Sequence, residues 1–259
     1  MRSALRTSFT FVYLILFATV ALAQNELTVF LSGAMTEPVK EAGAAFTKST
    51  GTKLLYMGDT TGGLVKRLAA GEKVDVIVVT GPAMDTIEKE QRIVAGSRVN
   101  LALALIGVGV RAGAASPNLS TTDTFKAALL AATTVSYVNP ASGGTSGTYF
   151  EGLLQKMGIA DAMKPKTVYR TQGSEVANAV ARGEAEIGIT FTSELKPNPG
   201  VTVAGTLPAA IQLPTVYSVA LVSATGGSDA AHAFVRVLSG PEGRAAIERA
   251  GLEALRAAP

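Results

Sequence analysis

Val99-Asn100-Leu101-Ala102-Leu103-Ala104-Leu105-Ile106-Gly107-Val108-Gly109-Val110 decides the fold. Twelve residues of almost unbroken apolar character are about twice the usual strand length of ~5 to 6 residues. Such a strand is expected to run out of one sheet into another. A second long apolar passage, Pro214 to Val222, comes back later in the chain. Two crossings of this kind predict two α/β lobes, the second inserted into the first: residues 24–103 with 214–259 as one lobe, residues 104–213 as the other, and the two long strands as the hinge.

The flanking sequence fits that plan. Leu27 to Leu31 reads as a buried strand, and Met35, Val39, Ala42 and Phe46 recur at helical spacing behind the turn Ser32-Gly33-Ala34. Lys53 to Met57 is a strand, Gly58 to Gly63 a loop, Leu64 and Leu68 one face of a short helix, and Val74 to Val79 a further strand. Alternating strands and helices with tight Gly-bearing turns are the signature of a parallel sheet covered by helices. The series restarts with a helix over 122–132, a strand Thr134 to Val138, a loop Asn139 to Thr148, a helix carrying Phe150, Leu153, Leu154 and Met157, a helix Gly173 to Arg182 and a strand Glu186 to Thr192. Lys196 to Gly200 is a Pro/Gly turn. Two helices close the chain, one marked by Ala231, Phe234, Val235 and Leu238, the other starting behind Gly240-Pro241.

Composition narrows the chemistry. Of 259 residues 47% are apolar and none is Cys, which excludes a disordered chain, disulfides, thiolate catalysis and Cys-based zinc sites. Residues 1–23 carry a basic start (Arg2, Arg6), an uncharged run Phe9 to Leu22 and a small-residue pattern Ala21-Leu22-Ala23, which reads as a cleaved secretory signal. A permanent anchor is the rival reading, but the run falls short of the ~20 apolar residues that span a bilayer. No Cys follows to accept a lipid, so the mature protein is expected free in the periplasm. Without Arg2 and Arg6 the chain has 21 basic side chains against 20 acidic, a net charge of +1. That balance gives no reason to expect nucleic-acid or membrane-surface binding.

Three loops share one design, a strand followed by small or hydroxyl residues and a helix start: Ser32-Gly33-Ala34, Gly58 to Gly63 with Thr60 and Thr61, and Ala141 to Thr148 with Ser142, Gly143, Gly144, Thr145 and Ser146. A helix start has about four N–H groups without internal partners and about half a positive charge, so converging starts form an anion site without Lys or Arg. Taken singly, Thr61 and Ser142 could merely cap helices. Three such loops in a two-lobe α/β layout favour binding, because ligands sit at the carboxyl ends of parallel strands.

The run Leu27 to Thr36, the Thr60-Thr61-Gly62-Gly63-Leu64 loop with Leu68 to Gly71, Asp75 to Val78, the Gly-rich loop leading into Leu154 to Gly158, and Gly183 to Gly188 resemble, in order and spacing, the periplasmic molybdate-binding protein family. That family belongs to the type II periplasmic solute-binding proteins of ABC importers. The resemblance covers nearly the whole mature chain. It implies an α/β, two-lobe periplasmic binding protein type II fold, each lobe a mixed, mostly parallel sheet flanked by helices, with two crossover strands. It also implies a monomer that closes on a small anionic ligand and meets an ABC permease in the inner membrane, with no cofactor.

The family's ligand positions carry over with departures. Its serine after the first strand falls on Ala34, with Ser32 two residues upstream; its second hydroxyl falls on Thr61; its main-chain contact falls near Gly144; and its tyrosine after the last second-lobe strand falls on Phe191, beside Thr192. Two hydroxyls are missing. Each unmatched charge-assisted hydrogen bond to a buried anion costs about 1.5 to 3 kcal/mol, which argues against a tetrahedral oxyanion and for a larger organic carboxylate. Arg170 and Arg67 are the candidate clamps for it, unless they are solvated surface residues.

Enzymatic readings find little support in the sequence. His232 is the only histidine and sits on an apolar-patterned helix. Gly107 to Ala112 fits G-x-G-x-x-A, but no helix follows; Ser193-Glu194-Leu195-Lys196 fits S-x-x-K, but Pro197 and Pro199 break the helix it needs. Asp59 and Asp75 lack partners for a metal. The expectation is a binding protein for uptake, or a sensing receptor with the same binding physics, and not an enzyme.

Overall fold

The stretch 99–110 folds as two strands, not one. In a computed structural model, which describes residues 26–256, the break falls at Leu105, and the strands on either side belong to different sheets. The expected signal segment, residues 1–23, lies outside the described residues.

The chain begins with β1 (Glu26–Ser32), α1 (Thr36–Thr50), β2 (Lys53–Asp59), α2 (Thr61–Ala69), β3 (Val76–Thr80), α3 (Gly81–Lys89) and β4 (Val99–Ala104). It then enters the second lobe with β5 (Ile106–Arg111), α4 (Thr122–Ala131), β6 (Val135–Val138), α5 (Thr145–Lys156), α6 (Ala160–Met163), β7 (Thr167–Arg170), α7 (Gly173–Ala181), β8 (Ile187–Phe191), α8 (Thr192–Leu195) and β9 (Val201–Thr206). It returns with β10 (Thr215–Leu221), α9 (Asp229–Ser239), α10 (Pro241–Arg249) and β11 (Glu253–Ala254). The first sheet has the order β11-β4-β10-β3-β1-β2 and the second β7-β6-β8-β5-β9. The second apolar passage differs from expectation, because β10 stays wholly within the first sheet and the return crossing is made by the connector 207–214.

Both sheets are mixed. β1 runs parallel to β2 and β3, and β6 parallel to β7 and β8, while the pairs made by β10, β11 and β5 are antiparallel. The sheets are thus less parallel than a pure strand–helix alternation suggests.

Alternation along the central strands explains the layering. On β1, Leu27, Val29 and Leu31 join the main core under α1, α9 and α10, where Phe46 meets Phe234 with ring centroids 5.2 Å apart. Phe30 faces the other way, into a second core with Leu64, Leu68, Met84 and Ile87 from α2 and α3. Strand β3 repeats the pattern, Val76 and Val78 on one side, Ile77 and Val79 on the other. Each such side chain contributes about 1.5 to 3 kcal/mol of burial, so a one-residue slip would exchange two cores at once.

At the crossing, the amide side chain of Gln212 receives a hydrogen bond from the Ile106 N–H at 3.1 Å and donates one to the Ile106 carbonyl at 2.9 Å. It stands in for a strand neighbour where β5 leaves Leu105.

Candidate functional site

Parallel strands β1 and β2 of one lobe, and β6 and β8 of the other, end at the same gap. Their carboxyl ends bring Ser32, Asp59, Val138 and Phe191 to one small cavity, completed by Gly33, Ala34, Thr60, Thr61, Gly144, Thr145, Ser146, Gln172, Gly173, Glu194 and Tyr217.

Helix starts surround the cavity. Thr60 caps α2, its hydroxyl oxygen accepting the Gly63 N–H at 3.1 Å, and Asp59 accepts the Thr60 N–H at 2.7 Å. The hydroxyls of Ser32 and Thr61 pair across the first lobe at 2.8 Å. Helix α5 begins behind Gly144, and α7 behind Gln172; neither residue caps its helix with a side chain. The first-turn N–H groups of α5 and α7 therefore remain available to an anion.

The lobes touch at the rim. Gly62 N–H donates to the Gly143 carbonyl at 3.1 Å, the Thr60 hydroxyl donates to the Ser142 carbonyl at 2.5 Å, and the Ser193 hydroxyl donates to the Ala34 carbonyl at 2.8 Å. A Cβ on Gly62 would fall 2.8 Å from the Gly143 Cα, so glycine at both positions permits this approach.

Of the residues singled out in the sequence, Ser32, Gly33, Ala34, Thr60, Thr61, Gly144, Thr145, Ser146 and Phe191 line the cavity. Ser142 and Gly143 do not; they form the rim contact with Thr60 and Gly62. Thr192 also turns away, its hydroxyl donating to the Gly251 carbonyl at 3.2 Å. The expectation for the arginines is corrected outright. Arg170 bonds Glu184 at 2.5 Å and the Tyr169 carbonyl at 2.9 Å, while Arg67 is held by Glu72 and lies over the Phe30 ring at 4.7 Å. Among the described residues no Lys or Arg lines this cavity. The polar groups that line it are hydroxyls, backbone N–H groups, the Gln172 amide and the Asp59 and Glu194 carboxyls.

Two residues that the sequence reading did not single out matter most. Glu194, on α8, sits half-buried between the lobes, where a Cβ on either Gly33 or Gly173 would collide with its carboxylate. Burial pushes its pKa up to about 6, against the lowering effect of the Thr190 hydroxyl, which donates at 2.5 Å, and of the Phe191 N–H. As the Thr190 hydroxyl donates to Glu194, the Ser146 hydroxyl 3.3 Å away donates to Thr190 in turn and completes the row. Tyr217, on β10, is 2% exposed, its ring edge-on to Phe191 with centroids 5.7 Å apart. Burial and the nearby charge of Glu194 raise its phenol well above the ordinary value. Glu194 was visible within Ser193 to Lys196, but as part of a different motif; Tyr217 was concealed in an apolar run.

The other sequence candidates lie elsewhere. His232 is exposed beside Val94 and Arg236, Gly107 and Gly109 are strand residues of β5 packed on Leu195, and Asp75 receives the Thr28 N–H at 2.8 Å. Among the described residues no cluster of three His, Asp or Glu side chains could hold a metal.

Comparison with known proteins places this geometry. A family model described as bacterial extracellular solute-binding protein matches residues 27–253. An aconitate isomerase from a Pseudomonas species is 35% identical over 238 residues, covering 90% of this chain and 89% of that protein. The molybdate-binding protein of Escherichia coli is 24% identical, covering 88% and 89%. The solved periplasmic molybdate-binding protein of Azotobacter vinelandii superposes with a TM-score of 0.71 at 19% identity, covering 87% of this chain and 98% of that one, which establishes the two-lobe binding-protein fold. The expectation that the chain is not an enzyme is overturned by the isomerase: a relative of this similarity carries an enzyme's name on the same fold.

Proposed function

We propose, for a chain that belongs to the bacterial extracellular solute-binding protein family, that the inter-lobe cavity takes an unsaturated polycarboxylate of the aconitate class and isomerises it by proton transfer through Glu194. One observation carries the reading: a carboxyl group with a pKa of about 6 lies in the wall of an anion-binding cavity among hydroxyls and helix starts, with no cationic side chain lining that cavity among the described residues. A base poised near the working pH is what proton abstraction from carbon requires.

The chemistry follows from the substrate's skeleton. Aconitate is a three-carbon chain bearing three carboxylates, one end CH₂ and the other a double-bonded CH. Its methylene protons are acidified by both the adjacent carboxylate and the double bond. Glu194 removes one; the C–H electron pair joins an allylic anion spread over the chain and its carboxylates. Returning the proton to the opposite end moves the double bond and allows the geometry about it to change. The atoms balance, and no oxidant or cofactor is consumed. The starts of α5 and α7 supply N–H donors for the carboxylates, and closure of the lobes about residues 105 and 207–214 excludes water.

The experiment is direct: the purified protein with trans- or cis-aconitate, followed by ultraviolet absorbance. Approach to one equilibrium from both sides supports the reading; no change from either side removes it.

A second reading, uptake of an anion delivered to an ABC permease from the periplasm, is supported by the uncapped start of α5 and by the molybdate-binding relatives. Titration with molybdate separates the two, since sub-micromolar affinity favours an oxyanion cargo over a tricarboxylate. A permease gene beside this one would favour transport over ligand sensing.

A further inference from the structure

We propose that Tyr217 is a second catalytic residue of the cleft, its phenol donating a hydrogen bond to the substrate carboxylate oxygen on which negative charge gathers while Glu194 holds the abstracted proton. The inference rests on the isomerase reading and adds a group from the opposite lobe.

Placement comes first. Tyr217 reaches the cavity from the first lobe, and Glu194 from the second. On β10 the pairing with β4 shifts register between Tyr217 and Ser218, an irregularity that re-aims a side chain at this point of the strand. The ring is clamped edge-on by Phe191, so the phenol cannot swing out as a surface tyrosine would.

The hydroxyl itself is the second observation. Among the described residues no buried side-chain oxygen lacks a partner, yet the raised pKa of Tyr217 has burial and the charge of Glu194 as its causes and no hydrogen bond. Its oxygen is therefore not sealed in the core, and as Tyr217 lines the cavity the phenol opens onto it. A phenylalanine would fill the same space, so the hydroxyl adds a donor at the cavity wall and nothing to the packing. The position makes sense if a ligand oxygen completes the bond.

The phenol's chemistry fits one role. Held protonated at every working pH, Tyr217 is a donor and not a base. A fixed donor aimed at an oxygen that gains charge binds the transition state more strongly than the ground state, and it needs no reorganisation as the charge forms. The proton balance is that of the isomerisation: carbon to Glu194 and back to carbon. Tyr217 retains its own proton throughout.

The test compares wild type, Tyr217→Phe and Glu194→Gln on the aconitate isomers, reading kcat and KM separately. Tyr217→Phe is expected to lower kcat by about 10²-fold to 10³-fold, with KM changed less than about threefold. Wild-type kcat in Tyr217→Phe, or a loss confined to KM, overturns the role of Tyr217 while leaving the isomerase reading intact; absence of turnover in the wild type overturns both. Thermal melting of Tyr217→Phe should match or exceed wild type. If the variant fails to fold, replacing Tyr217 by 3-fluorotyrosine keeps the shape and strengthens the donor: a changed kcat supports the proposal, and an unchanged one overturns it.

Discussion

Glu194 binds its proton more tightly in the folded chain than in the unfolded one, with pKa values of about 6 and 4.5. Between those values the native state holds more protons, so stability falls as pH rises through the window; the penalty is absent below about 4.5 and complete above about 6. Glu194→Gln should therefore melt higher than wild type at pH 7.5 and lose that advantage at pH 4.5, measured by circular dichroism. The same residue sets the kinetics. As the base must be ionised, kcat/KM should climb with pH through about 6, and the inflection in kcat should lie higher, because bound carboxylates disfavour a further charge. Thr61 plays a smaller part. Thr61→Ala removes the hydroxyl paired with Ser32 and should raise KM about twofold to tenfold while costing about 1 to 3 kcal/mol of stability, because Ser32 loses a buried partner.

Among the elements, the start of α2 shows best how a glycine can serve closure at the expense of its helix. Gly62 lies in the first turn of α2, where alanine improves helix propensity by roughly 0.5 to 1 kcal/mol. Yet a methyl there meets Gly143 across the cleft. Gly62→Ala should leave the melting temperature equal or raised while weakening ligand affinity, and calorimetry on the same sample reads both. Gly144 is less simple than its loop suggests, because a side chain there runs into Val138 and would disturb β6 as well as the cavity. The three Gly-bearing loops were legible because strand, small residues and helix start follow one another locally. Strands β7 and β9 were not: both are edges of the second sheet with half-exposed faces, so neither leaves an apolar run or a clean alternation. Helix α3 was passed over although Pro82 marks its first turn.

At the scale of the whole molecule, the two lobes are joined by Leu105 and the 207–214 connector, with Gln212 bridging both. Gln212→Ala strips Ile106 of two hydrogen bonds in a part-buried setting and should cost about 1 to 3 kcal/mol in urea unfolding. The change of sheet near 105 could be read from the length of one apolar run. The pairing of Glu194 with Tyr217 could not, since it arises only when α8 of one lobe and β10 of the other close on the same space; the motif around Glu194 pointed to Ser193 and Lys196, and Tyr217 lay in an apolar run. For the same reason Arg170 and Arg67 misled: charge is visible in a sequence, whereas the glutamates that neutralise it lie 14 and 5 residues away. Proton NMR of trans-aconitate with wild-type protein and with Glu194→Gln tests the central claim most directly. The account predicts that wild type converts the olefinic signal to that of the cis isomer until equilibrium, and that the variant leaves it unchanged. An unaltered spectrum with wild type, or conversion at the wild-type rate by the variant, would contradict it.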